Sequence, residues 1–133
     1  MRREEKMTEN KIGEALIGCA ISVHSGLGPG LLENAYEACL CHELGKRDIP
    51  FRRQVALPVH YDGVQIDSGY RLDILLDERV VFEIKAVDKL INLHRAQLLT
   101  YLKLGNFKLW YLLNFNTLRM REGIVRQVNG LDD

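Results

Sequence analysis

The sequence predicts an α/β domain, a mixed β-sheet flanked by helices, and three observations carry that expectation. Apolar residues recur at helical spacing up to Leu44 and again over residues 90–104; between them, over 51–87, the period falls to two; and residues 107–115 form a short, strongly apolar and aromatic run. With 133 residues the chain has the length of one domain, expected over 8–129 with flexible ends at 1–7 and 130–133. No repeat, low-complexity tract or linker divides it.

Taken in order, Thr8 is the N-cap of a first helix whose inner face carries Ile12, Leu16, Cys19 and Val23, ending near His24. Gly26-Leu-Gly-Pro-Gly30 stops it, because three glycines and a proline cannot continue a helix. A second helix starts near Leu31 and presents Leu32, Tyr36, Cys39 or Leu40, and Leu44 along one side, with Gly45 and Pro50 bracketing its end. Residues 51–61, 69–76 and 80–87 read as three strands, with Asp62-Gly63 marking a hairpin turn. A third helix over 90–104 precedes a strand at 107–115. A weaker strand at 118–128 contains a bend near Glu122-Gly123.

A composition 47% hydrophobic and 27% charged excludes a disordered chain. No apolar run approaches the roughly 18 residues that cross a bilayer, and Met1-Arg-Arg-Glu-Glu-Lys lacks the apolar stretch of a secretion signal, so a cytoplasmic location and no membrane partner are expected. Eighteen basic residues balance eighteen acidic ones, so any contact with nucleic acid must be local. Lys46, Arg47, Arg52 and Arg53 form one candidate group for phosphate contacts, and Arg119, Arg121 and Arg126 another; both equally suit a solvated surface. The three cysteines, Cys19, Cys39 and Cys41, read as reduced thiols on apolar helix faces. Cys39, Cys41 and His42 lie too close along one helix to converge on zinc.

Three charges interrupt the apolar strands: Asp73 in Tyr70-Arg-Leu-Asp-Ile-Leu-Leu, and Glu83 and Lys85 in Val81-Phe-Glu-Ile-Lys-Ala. A two-residue turn at Asp77-Glu78 would send Asp73 and Glu83 to opposite faces. A three-residue turn, Asp77-Glu78-Arg79, pairs 76 with 80, 75 with 81, 73 with 83 and 71 with 85. The apolar residues agree with it, because Ile74 and Leu76 then share a face with Phe82 and Val80. Facing carboxylates at about 5 Å between Cβ atoms repel, and a cation removes the cost. Oxygen ligands suit a hard ion such as magnesium or manganese, and Lys85 on the same face can hold a water that attacks phosphorus. The plain alternative is a solvated face with a cross-strand ion pair.

His94, Gln97 and Tyr101 share one stripe of the third helix, where the last two can hydrogen-bond a phosphate or the carboxylates, or simply form a core edge. Glu33 opens the second helix, where a carboxylate complements the helix dipole or supplies a third acid to the same cation.

Gly30-Leu-Leu-Glu33-Asn-Ala-Tyr36 matches the signature of the GxxExxY proteins, and the resemblance runs from about Ile12 to Val128. That family belongs to the PD-(D/E)XK nuclease superfamily, with a restriction-endonuclease-like core. Asp73, Glu83-Ile84-Lys85 and Gln97-x3-Tyr101 resemble the superfamily's acidic strand residue, its Glu-x-Lys strand and the Gln-x3-Tyr helix motif of its RecB-like branch. There is no Pro-Asp pair here, and none of that branch's iron-sulfur cysteines. The resemblance implies that Asp73 and Glu83, with the Ile84 carbonyl and Glu33, bind magnesium or manganese. It further implies that Lys85 positions the attacking water and that Gln97 and Tyr101 support the active site or substrate. The expected function is metal-dependent hydrolysis of phosphodiester bonds in DNA, less readily RNA, with a homodimer as a possible assembly. The alternative is a non-catalytic module on the same fold that binds nucleic acid or protein.

Overall fold

A computed structural model describes residues 7–131, so the flexible ends expected at 1–7 and 130–133 fall mostly outside the described residues. Helix α1 (Glu9–Leu27) is capped by the Thr8 hydroxyl, which accepts the Lys11 N–H at 3.2 Å, and buries Ile12, Leu16, Cys19 and Val23 as its periodicity requires. Gly28, at φ 71°, ends it by donating its N–H to the His24 carbonyl. Helix α2 (Glu33–Lys46) starts two residues later than expected, because residues 28–32 form an extended loop held by Tyr36. The Tyr36 hydroxyl donates to the Gly28 carbonyl (2.7 Å) and accepts the Leu31 N–H (3.1 Å), while its ring stacks on Phe115 with centroids 4.5 Å apart.

The strands are β1 (Phe51–Ala56), β2 (Val59–Tyr61), β3 (Val64–Ile66), β4 (Arg71–Leu76), β5 (Val80–Lys85), β6 (Leu109–Asn114) and β7 (Ile124–Val128), with α3 (Asn92–Gly105) between β5 and β6. One five-stranded sheet has the order β1-β4-β5-β6-β7, parallel between β5 and β6 and antiparallel elsewhere. Helices cover both faces. Ile74, Leu76, Phe82, Ile84, Tyr111 and Leu113 pack with α1 and α2, whereas Leu75, Val81, Trp110 and Leu112 pack with Leu98 and Leu102 of α3. Strand β6 is therefore buried along its whole length, which is why its sequence shows no alternation.

Two expectations need correction. The strand expected over 51–61 stops at Ala56: Leu57 is buried under α3, Pro58 has no N–H to donate, and β2 and β3 form their own hairpin around Asp62-Gly63, both in left-handed conformation. The strand expected over 118–128 begins only at Ile124, because a 3₁₀ turn at Met120–Gly123 comes first. Gly123 lies so close to the Asn114 carbonyl that no Cβ fits there.

At the end of β6 the buried Asn114 side chain acts as a substitute strand. It accepts the Val87 N–H (3.1 Å), donates to the Val87 carbonyl (2.9 Å) and also accepts the Asn116 N–H (3.2 Å).

Candidate active site

The site is built on the β4–β5 connection. Asp77 and Glu78 are left-handed (φ 49° and 57°), Arg79 donates its N–H to the Leu76 carbonyl, and the ladder pairs Leu76 with Val80, Leu75 with Val81 and Ile74 with Phe82. This is the three-residue turn that the apolar pattern demanded. The ladder then stops short of the expected 73–83 and 71–85 pairs: Asp73 Oδ2 accepts the Ile84 N–H at 2.7 Å, a carboxylate standing in for a strand partner. Opposite it, Gln54 of β1 is left-handed (φ 52°) between the pairs Arg53–Ile74 and Val55–Leu72. Leu72 and Ile74, two residues apart, consequently belong to different cores, so β4 turns over at Asp73.

Asp73 is thereby brought against Glu83. Glu83 Oε1 is out of contact with solvent and has no hydrogen-bond partner among the described residues. Desolvation, followed by the charge and hydrogen bonding of Asp73, pushes the Glu83 carboxyl up to about 9, against a smaller opposing pull from Lys85. At neutral pH and without a counter-charge, Glu83 is therefore protonated. Arg71, Glu83, Lys85, His94, Gln97 and Tyr101 line one small cavity of about 60 Å³, sufficient for an ion and a few waters. The helical stripe on α3 thus faces the strand charges as expected. Tyr101 stacks on Trp110 (5.4 Å) and leans on Tyr70 (4.9 Å), and burial together with Tyr70 and Glu83 raises its hydroxyl to about 12. His94 has a structural task, its Nδ1 accepting the Ile91 N–H at 3.1 Å at the start of α3.

Glu33 is placed differently from the third acid of a three-carboxylate cluster. Its Oε2 accepts the Ala86 N–H at 3.2 Å, because the first turn of α2 meets the sheet beyond Lys85 and on the face of Ile84 and Ala86 rather than that of Glu83. No group of three or more His, Cys, Asp or Glu placed to hold a metal occurs among the described residues.

Two residues that the sequence reading did not single out join the site instead. Gln54 Nε2 donates to Glu37 Oε1 (3.0 Å) and Asp73 Oδ1 (3.3 Å), and the other Glu37 oxygen is held by Arg53 at 2.8–2.9 Å. Glu37 lies one helical turn beyond Glu33, which was a readable signal. The left-handed conformation of Gln54 had none.

The donor set fits a hard divalent cation. The carboxyl groups of Asp73 and Glu83 lie side by side on adjacent strands, and burial with the neighbouring Asp73 charge disfavours the ionised form of Glu83, a cost that a cation between them would remove.

A five-stranded mixed sheet with helices on both faces, carrying an acidic pair and a lysine where two of its strands part, defines a restriction-endonuclease-like protein. The sequence model of the PD-(D/E)XK nuclease superfamily matches residues 10–127, and the chain belongs to that superfamily. Comparison with curated proteins and with solved structures finds no match. Members of the superfamily are generally nucleases that use divalent metal ions, and no helix among the described residues is long and apolar enough to cross a membrane.

Proposed function

We propose that this chain, as a GxxExxY-type member of the superfamily, is a divalent-metal-dependent nuclease that hydrolyses phosphodiester bonds, DNA before RNA, by attack of water on phosphorus. The observation that supports this best is the buried Glu83 carboxyl group held against Asp73, with Lys85 lining the same small cavity as Glu83. Asp73 and Glu83, with the Ile84 carbonyl, would hold magnesium or manganese. A bound ion supplies neutralisation of the charge that develops on the phosphate. Glu83 must first release its proton. The Lys85 ammonium holds the attacking water by hydrogen bonding, and Gln97 and Tyr101, on the opposite wall, orient the phosphate and keep bulk water out.

Incubation of supercoiled, linear and single-stranded DNA and of RNA with magnesium or manganese tests the reading. Wild-type protein forms product, whereas Asp73→Asn and Lys85→Ala do not; equal background from all three refutes it. A non-catalytic nucleic-acid- or protein-binding module is the second reading, favoured by the engagement of both Asp73 oxygens by hydrogen-bond donors. It predicts binding without metal-dependent product.

A further inference from the structure

The structure separates the basic residues that were candidates for phosphate contacts. Lys46 pairs with Glu43 (3.1 Å), Arg52 with Glu78 through two bonds of 2.7 Å, and Arg53 with Glu37; Arg47 donates to the Ala15 carbonyl and Arg126 to Asn10. Arg119 and Arg121 differ, because among the described residues their guanidinium groups have no hydrogen bond or ion pair. Both line a cavity of about 670 Å³, walled by Ile21 and His24 of α1, by Pro29 and by Leu118.

The cavity is built from fixed parts. His24 Nε2 donates to the Thr117 carbonyl at 2.7 Å, which ties the last turns of α1 to the 117–121 segment, and Tyr36 holds Gly28. No acidic side chain lines it. The carbonyl end of α1 contributes about half a negative charge, against two full positive charges on the arginines. Leu118, 87% exposed, offers an apolar surface beside them. The volume falls within the range of ligand-binding clefts.

It lies toward the strand end that follows Lys85, on the Ile84 and Ala86 side of the sheet rather than the Glu83 side. The loop whose Gly28 and Pro29 wall the cavity continues through Leu31, Leu32 and Glu33, which line a neighbouring pocket with Ala86, the residue after Lys85. On the other side, Phe115 donates its N–H to the Lys85 carbonyl, so the 115–121 segment leaves the sheet at the same edge.

We propose that this cavity binds the backbone of the nucleic-acid strand beyond the reacting phosphate, one phosphate between Arg119 and Arg121 and its sugar or base against Leu118. The identity of the ligand as a strand rests on the nuclease reading. The test is titration of a short labelled DNA strand with the full chain in the presence of a chelator, which prevents turnover. Arg119→Ala/Arg121→Ala is compared with a charge-matched control, Lys103→Ala/Lys108→Ala, exposed residues before the opposite end of β6. Both arginines are exposed, so the variant folds, which its melting temperature verifies.

The expected result is a loss of affinity of about tenfold or more at low salt for the arginine variant, with the slope of log affinity against log salt shallower by about 0.7–0.9 per lost phosphate. Unchanged affinity and slope, or an equal loss in the control, overturns the proposal. So does arginine-dependent binding of deoxyadenosine monophosphate as tight as that of the strand, which makes a free nucleotide the ligand. Arginine-dependent strand binding by a wild type that never cleaves refutes the nuclease alone and leaves the cavity assignment standing. Cleavage that is undiminished in the arginine variant at subsaturating DNA overturns the cavity alone.

Discussion

Replacing Glu83 by glutamine tests the electrostatics of the site without any assumption about substrate. The Glu83 carboxyl titrates near 4.5 when unperturbed and is pushed up to about 9 in the fold. Between these values the folded protein keeps a proton that the unfolded chain has released. This contribution to stability is fully present below about 4.5 and is lost as pH rises through about 9, at about 1.4 kcal/mol per pH unit. In a domain of this size 1 kcal/mol corresponds to about 4 °C in Tm, so the slope is about 6 °C per pH unit. Glutamine has nearly the same shape and does not titrate. Scanning calorimetry of metal-free protein across neutral pH should show the wild-type Tm falling by that amount per unit relative to Glu83→Gln. Magnesium, by supplying the missing positive charge, should flatten the wild-type dependence. A Tm difference between the two proteins that stays constant with pH refutes the reasoning.

Gln54→Ala frees one oxygen of Asp73, and loss of such an outer hydrogen bond is expected to weaken magnesium affinity by about tenfold or more, read from the metal dependence of Tm; identical titration curves would count against it. Tyr36→Phe keeps the stacking on Phe115 but leaves the Gly28 carbonyl and Leu31 N–H without their partner, at a cost of about 1–3 kcal/mol in denaturant unfolding. Gly123→Ala drives a methyl group into the Asn114 carbonyl and should cost about 1–3 kcal/mol, whereas Gly45→Ala, in open space on α2, should leave stability unchanged or raised.

The arrangement of helices and strands was largely legible because each helix is amphipathic toward one core, while the central strands, with a core on either side, read as short apolar runs. The β4–β5 register could be derived because only an odd turn puts Ile74 and Leu76 on one face with Phe82 and Val80, and the ladder obeys that constraint. The break after Ala56 escapes the sequence because apolar alternation continues through Val55, Leu57, Val59 and Tyr61, whereas the bend expected near Glu122-Gly123 is present as the 3₁₀ turn, and only the strand expected before it is missing. Asp73, Glu83 and Lys85 stand out as charges in apolar strands and Gln97 and Tyr101 as one helical stripe, and the structure brings Glu83, Lys85, Gln97 and Tyr101 to one cavity, while their roles rest on the family resemblance. Glu33 could not be placed, since the face of the sheet that a helix's first turn reaches depends on the 28–32 loop. The Gln54 bridge depends on a left-handed backbone that local sequence does not encode. The division of the arginines was equally invisible, as it follows from which carboxylates the fold brings near them.

Asn114 has a consequence for the chemistry at the neighbouring strand end. Its amide continues the β5–β6 pairing past the point where main-chain partners run out, and so welds the departing segments 86–87 and 115–116 into a single stiff corner. Lys85 sits one step before that corner. Its ammonium is therefore mounted on a backbone that cannot fray, and a bulky or charged side chain at position 114 would loosen the lysine from a distance without touching it.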